Sequence, residues 1–275
     1  MHVEEIEEIE ITLLVDALLK RYGYDFRNYA RASLKRRIRN FAGKANFATI
    51  GAMIPSLLRN ESFGADLIHG LSVTLSEMFR DPEFFSTLRQ QVIPYLKTYP
   101  YAKIWHAGCA TGEEVYSLAI VLQEEGFYDR TTIFATDING AALEKARQGI
   151  YPLEKMQEYT ANYQRSGGRA DFAQYYRTGY DAAILNPALK KNITFANHHL
   201  VTDGVFSEVH LVMCRNVLIY FDKDLQDRVL RLFHDSLVHG GVLALGSKES
   251  LQFTQVADDF KALSSKWKIY QKTTP

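Results

Sequence analysis

Residues 104–122 read IWHAGCATGEEVYSLAIVL: an apolar run, a loop holding Gly108 and Gly112, and a helical pattern whose first turn carries Glu113 and Glu114. Glycine lets a backbone approach a ligand closely and turn sharply into a helix, so this is the layout of a nucleotide-type cradle. In a dinucleotide fold the spacing is G-x-G-x-x-G and the helix start meets a pyrophosphate. Here two acids stand where that anion would lie, which disfavours phosphate. A ligand bearing an amino group and no phosphate, such as S-adenosylmethionine, suits an acidic first turn. The same loop is also compatible with an ordinary strand-to-helix turn capped by Thr111.

One βα unit downstream, TTIFATD ends in Asp137, the place from which a carboxylate accepts both ribose hydroxyls of a nucleoside. A second use for Asp137 is to cap the helix that DINGAALEKA would form. A third strand end, TFAN, places Asn197 and His198 where an adenine edge and face would be read. The pair His198-His199 lacks a Cys, Asp or His partner at ligand spacing, so no metal site is expected.

These residues need a sheet to hold them. From about residue 98 onward, short β-branched or aromatic runs alternate with helical patterns, the signature of βαβ units and a mainly parallel sheet. The expected strands are KIWHAG, TIFATD, NITFAN, VHLVMC, GGVLALG and KWKIYQK. Residues 150–192, rich in tyrosine and broken by RSGGR and PALKKN turns, read as an inserted subdomain. From residue 4 to about 90 the pattern is helical throughout. A first helix is expected to bury Ile6, Ile9, Leu13, Leu14, Ala17 and Leu18, and a second, over 26–42, to bury Ala30, Leu34, Ile38 and Phe41 while projecting Arg31, Lys35, Arg36 and Arg39. Arg37 lies toward the apolar stripe of that helix.

Composition sets limits on partners. The 275 residues are 47% hydrophobic, and 32 basic residues balance 32 acidic ones, so net charge supports no general attraction to nucleic acid or anionic membrane. The acidic start MHVEEIEEIE is unlike a signal or transit peptide, and no apolar run approaches a membrane span, which predicts a cytoplasmic protein. Two cysteines, Cys109 and Cys214, are expected to be reduced thiols.

Four strings in order, VTLSEMFRDPEFF (73–85), AGCATGEEVYSLA, FATDINGAALEKARQGIYP and MCRNVLIYFD (213–222), resemble the CheR family of chemotaxis methyltransferases. The resemblance spans nearly the whole chain. It implies an α/β fold: a Rossmann-like class I methyltransferase domain with a small antiparallel β-subdomain insertion, preceded by an all-α N-terminal domain. The expected bounds are 1–92 for the helical domain and 93–275 for the methyltransferase domain, with the insertion at about 150–195. It further implies methyl transfer from S-adenosylmethionine to glutamate side chains of methyl-accepting chemoreceptors, leaving S-adenosylhomocysteine, by a monomer recruited to membrane-bound receptor arrays.

Carried over by position, the cofactor contacts fall on Thr74, Ser76, Arg80, Glu114, Asp137, Asn197, His198, Arg215 and Asn216, around the Gly108 loop. Arg80 and Tyr220 fall on the family's active-site arginine and tyrosine. The chain departs from the family where Thr74-Leu75-Ser76 replaces a common N-x-T, and where Val115 replaces a proline. Gly167 and Gly168 are too few for the glycine-rich turn by which some members tether a receptor pentapeptide. The cations Arg31, Lys35, Arg36 and Arg39 suit docking along an acidic receptor helix, or form a solvated face balanced by the glutamates of the first helix. A nucleic-acid methyltransferase of the same fold commonly carries [DNS]-P-P-[YFW] where this chain reads CRNV. A scaffold that has lost transfer is disfavoured by retention of Arg80 and Tyr220, and a dehydrogenase by the acidic loop.

Overall fold

The computed structural model describes residues 2–274, and the chain divides into two compact units. The first comprises the residues up to Val73 together with Val201–Asp203 and Leu218–Val229; the second comprises Thr74–Leu200, Gly204–Val217 and the residues from Leu230 on.

The helical unit contains α1 (Val3–Tyr22), α2 (Arg31–Lys44), α3 (Ile54–Arg59) and α4 (Glu61–Leu71). Its core is built from Ile11, Leu14, Val15 and Leu18 of α1, Leu34 and Ile38 of α2, and Leu57, Leu67 and Leu71 beyond. The buried face of α1 is thus rotated from the expected one. Ile6, Ile9 and Leu13 stay 42–52% exposed, because α1 carries apolar residues on two sides and the branched set at 11, 14, 15 and 18 takes the core. The second helix starts at Arg31 instead of residue 26. Asp25 explains the delay: its carboxylate accepts from the Arg27 amide at 3.1 Å and from the Arg27 guanidinium at 2.9 Å, holding the chain in a turn.

The basic face of α2 is largely ion-paired within this unit, by the glutamates of α1. Arg31 pairs with Glu8 at 2.7 Å, Lys35 with Glu8 at 2.7 Å and Glu7 at 3.6 Å, and Arg39 with Glu7 at 2.5 Å. These pairs hold the Glu7 and Glu8 carboxyls below the usual carboxylate range, chiefly through the hydrogen bonds from Arg39 and Lys35 respectively. Arg36 makes no ion pair among the described residues.

The second unit is built on a seven-stranded sheet: β1 (Ala102–Ala107), β2 (Thr131–Asp137), β6 (Ile193–Asn197), β7 (Val209–Cys214), β8 (Leu237–Leu245), β9 (Phe260–Ser264) and β10 (Ile269–Lys272), in the order β6-β2-β1-β7-β8-β10-β9. The first five positions are parallel, and β10 and β9 close the edge antiparallel. Strand order reverses between β1 and β7, the crevice where open α/β sheets bind ligands. Helices α5 (Pro82–Thr87), α6 (Ile93–Leu96), α7 (Glu113–Glu124), α8 (Gly140–Gln148), α9 (Met156–Arg165) and α10 (Lys223–Ser236, its first half grouped with the helical unit) complete the chain. The insertion forms a three-stranded antiparallel sheet, β3 (Ile150–Pro152), β5 (Ala182–Leu185) and β4 (Tyr176–Gly179), together with α9. Cys109 and Cys214 are free and buried, and burial pushes both thiols well above their ordinary pKa.

Residues 74–92, expected in the helical domain, pack instead with the sheet unit. Met78, Phe79, Phe84, Phe85, Leu88 and Val92 are fully buried in its core. The Phe79 ring meets Phe85 and Tyr163 edge-on, each at 5.2 Å, and its amide donates to the Ser117 hydroxyl at 2.8 Å.

The insertion is fastened to the end of α7 by a charged cluster. Arg89, its side chain 6% exposed, pairs with Glu124 and reaches Glu125 at 3.4 Å. Glu124 also accepts from the Tyr163 hydroxyl, the Tyr175 hydroxyl at 3.0 Å and the Arg169 amide at 3.1 Å. Burial pushes this carboxyl up, but the Tyr163, Arg169 and Arg89 donors outweigh it and leave the pKa lowered. The stabilisation from ionised Glu124 is therefore present above the ordinary carboxyl pKa and is lost as pH falls through the depressed folded value. Arg89→Ala strands the buried carboxylate and is expected to cost about 3 kcal/mol at pH 7. Urea unfolding at pH 7 and pH 4 checks this: the deficit should shrink at the lower pH, where the stranded carboxyl takes up a proton.

Candidate functional site

The loop after β1 is shaped by two left-handed glycines. Gly108 has φ 73°, and a Cβ there would lie 2.5 Å from Val217; Gly112 has φ 91°, and a Cβ would lie 2.8 Å from that of Ala146. No side chain fits either place. Between them Ala110 also takes positive φ, 48°, which a non-glycine residue adopts only under constraint. That constraint is Asp137, whose Oδ2 accepts the Ala110 amide at 2.8 Å while Oδ1 accepts the Asn139 amide at 2.8 Å. Burial pushes the Asp137 carboxyl up, with the amides of Asn139, Ala110 and Ile138 opposing it.

Neither capping alternative holds. The cap of α8 is Asn139, which accepts the Ala142 amide at 3.0 Å, so Asp137 is not the helix cap. Thr111 does not cap α7 either: Gly112 occupies that position, and the Thr111 hydroxyl donates to Glu113 at 2.6 Å.

Glu113 and Glu114 have opposite fates. Burial raises the Glu113 carboxyl, with Thr111 and Ser76 hydrogen bonds opposing. Burial acts on Glu114 too, but the Arg215 charge and the His106 hydrogen bond leave it lowered. Its Oε1 meets His106 Nε2 at 3.1 Å and its Oε2 accepts from the Arg215 guanidinium. Arg215, its side chain 1% exposed, also bonds Asp81 at 2.6 Å and lies 3.9 Å above the Phe84 ring. Glu114, Asp81 and Arg215 together carry one net negative charge.

Other expected residues fall around this centre. Asn197 stands opposite Asp137 in the β2–β6 register and donates to the Ile138 carbonyl at 2.9 Å. His198 is buried, its ring packed on Trp105 and Phe206 and its Nε2 3.2 Å from the Gly204 carbonyl. Thr74 meets the Thr111 hydroxyl through its carbonyl at 3.5 Å. Arg80 lends its carbonyl to Arg215 at 3.4 Å, while its guanidinium makes no ion pair among the described residues. Asn216 has φ 60°, held by Glu249, which accepts the amides of Asn216 at 3.1 Å and Val217 at 2.8 Å.

Tyr220 and the α2 cations belong to the helical unit. There the Ala30 amide donates to the Tyr220 carbonyl at 2.8 Å, Tyr29 bridges Phe221, and the Arg37 guanidinium lies 4.5 Å from the Tyr220 ring centre. Sequence reasoning missed His106, Asp81 and Glu249. A histidine inside the apolar run KIWHA was the signal for the first. Asp81 stands beside Arg80 in the sequence with nothing to mark its distant partner, and nothing near Glu249 marks it.

Residues 74–269 match the family model for the CheR methyltransferase SAM-binding domain, and residues 9–72 match its all-alpha domain. The chain belongs to the CheR methyltransferase family. Over 273 residues it is 50% identical to a protein named putative methyltransferase Cher3 from Pseudomonas putida, covering 99% of this chain and 100% of that one. A chemotaxis protein methyltransferase of Listeria innocua is 33% identical over 83% of this chain and 85% of its own. An uncharacterized 104.1 kDa protein of Rhodobacter capsulatus is 30% identical over 91% of this chain, which spans 26% of that protein.

S-Adenosylmethionine is therefore the cofactor of this CheR fold, and the site suits it. Asp137 keeps lone pairs for the ribose hydroxyls, and the uncompensated charge beside Glu114 matches an ammonium group. Asp137→Ala removes up to two charge-assisted hydrogen bonds, each worth roughly 1.5 to 3 kcal/mol. Calorimetry with S-adenosylhomocysteine should record a loss of about tenfold or more in a folded protein. Because the Asp137 pKa is raised and the ionised form is the acceptor, wild-type affinity should fall on acidification at a higher pH than an ordinary aspartate would give.

Proposed function

We propose that the chain esterifies glutamate side chains on the helical cytoplasmic domain of a methyl-accepting chemoreceptor. The observation that carries this reading is the likeness, across both domains, to the Listeria protein named for chemotaxis methyl transfer. The bound cofactor supplies an electrophilic methyl group on a sulfonium. The nucleophile needs no general base, since a glutamate with a pKa of about 4.3 is already ionised at neutral pH. What remains for the protein is positioning, which can contribute on the order of 7 kcal/mol or more when reacting atoms are held in line.

The residue roles follow from chemistry and position. Asp137 holds the ribose, Glu114 the amino group, and Asn197 with His198 the adenine side, with Thr74, Ser76, Gly108, Arg215 and Asn216 shaping the pocket. Arg80, with no carboxylate partner among the described residues, is the cation for the cofactor carboxylate and the substrate side. Tyr220 orients the reacting groups through its hydroxyl. Receptor recognition by α2 rests on Arg36 more than on Arg31, Lys35 and Arg39, whose charges Glu7 and Glu8 already engage. No helix among the described residues is long and apolar enough to cross a membrane. The proposed enzyme is a cytoplasmic monomer recruited to receptor arrays.

Incubation with methyl-labelled S-adenosylmethionine and receptor cytoplasmic fragments should give base-labile label, as an ester does and an N-methyl group does not. Base-stable label would overturn the glutamate assignment. In the same assay Tyr220→Phe should lower single-turnover rate while keeping cofactor affinity, whereas Arg80→Ala should harm both. Full turnover in Tyr220→Phe would make the tyrosine structural.

A further inference from the structure

His106 has no place in the roles assigned so far. It sits near the end of β1, 3% exposed, with Ala135 and Met213 beside it in the register of the flanking strands. Neither neighbour offers a polar group. Its Nε2 lies 3.1 Å from Glu114 Oε1, and its Nδ1 is buried with no hydrogen-bond partner among the described residues. A buried imidazole at this position costs more than an apolar side chain unless its one contact serves a purpose.

We infer that His106 is a positioning residue for the cofactor amino group: its Nε2–H and the Arg215 guanidinium hold one oxygen each of Glu114, fixing the carboxylate plane while leaving lone pairs for an ammonium. This rests on the reading of Glu114 as the acceptor of that amino group. The carboxylate beside Arg215 is ionised and only accepts, so the proton of the contact belongs to Nε2. Nδ1 is buried without an acceptor among the described residues, so the neutral Nε2–H tautomer is the form that leaves no donor unpaired. Neutrality matters. The charged groups around the ring are Glu114 on α7, Asp137 at the end of β2 and Arg215 after β7. A cation in place of His106 would cancel the net negative charge of Glu114, Asp81 and Arg215 and leave nothing for an ammonium to neutralise. An imidazole donates the hydrogen bond and adds no charge.

Calorimetry on the full chain tests this with two ligands: S-adenosylhomocysteine, which carries the amino acid moiety, and 5′-methylthioadenosine, which lacks it. His106→Ala should weaken the first about fivefold or more and leave the second unchanged, and His106→Gln, which keeps a neutral donor, should restore most of the loss. Equal weakening of both ligands, or unchanged affinity for both, would overturn the inference. Glu114→Gln separates it from the reading beneath: if that variant binds S-adenosylhomocysteine like wild type, the Glu114 assignment fails and the role of His106 with it. If Glu114→Gln is impaired and His106→Ala is not, only the positioning role fails. Nitrogen NMR of the wild-type imidazole needs no variant. A neutral Nε2–H tautomer is expected, and an Nδ1–H tautomer or an imidazolium at neutral pH would sink the idea.

Discussion

Arg215 keeps its charge where its side chain is 1% exposed, and a guanidinium cannot shed that charge by deprotonation. It has to be met by anions, and they come from far apart in sequence: Glu114 from the first turn of α7 and Asp81 from the loop before α5, with the Phe84 ring beneath. One buried cation thus ties the end of β7, the start of α7 and the segment leading into the sheet unit. Removing Arg215 would leave the buried Glu114 carboxylate without its cation, a change that costs about 3 to 5 kcal/mol in buried pairs. The strain of the site lies in the same segments. Phe79, Asp81, Ala110 and Asn216 all hold positive φ without being glycine, and each is in or beside the loops that Arg215, Asp137 and Glu249 clamp.

The same pairing explains how two adjacent glutamates at one helix start come to differ. The dipole of α7 favours negative charge on both. Burial opposes ionisation of both as well, and only Glu114 reaches a cation. The first turn therefore presents one firmly ionised carboxylate and one held back by burial, and a phosphate approaching the glycine loop would meet Glu114. If Glu114 takes the amino group as proposed, selection of an ammonium-bearing nucleoside over a dinucleotide follows from this electrostatic asymmetry more than from the glycine spacing, which alone could serve either.

The parallel strands β1, β2, β7 and β8 were legible because buried strands are near-continuous apolar runs, whereas β6 at one edge and the antiparallel β10 were legible from their β-branched and aromatic residues. The missed strand β9, FKALS, lies at the sheet edge with no position fully buried, so alternation never reaches its sequence. Helix α9 was hidden because its buried positions are Met156, Tyr159, Asn162 and Tyr163, a helical period written in tyrosine and asparagine. Among site residues, Asp137 and the glycine loop were visible because a carboxylate at a strand end and glycines at a sharp turn are local signals. Partnership was not visible. Asp81 stands next to Arg80 and pairs with Arg215, and the α2 cations pair with α1, because contact between distant segments is set by packing and leaves no local spacing to read.

Packing also redraws the domains. Residues 218–229 follow β7 directly, yet they group with the helices, where the Asp222 amide donates to the Asn28 carbonyl at 2.9 Å and Tyr29 stacks edge-on against Phe221 at 5.0 Å. Tyr220 is seated by this helical framework: its carbonyl is bound by Ala30, and its ring is covered by Arg37, itself fixed to the Leu71 carbonyl at 2.6 Å and the Ser33 hydroxyl at 3.2 Å. Arg37 makes no ion pair among the described residues, unlike its neighbours Lys35 and Arg39, so its charge is spent on a ring face and neutral oxygens. A substitution on the side of α2 that carries Arg37 is therefore expected to reach Tyr220, whereas one at Arg31, Lys35 or Arg39 reaches the glutamates of α1.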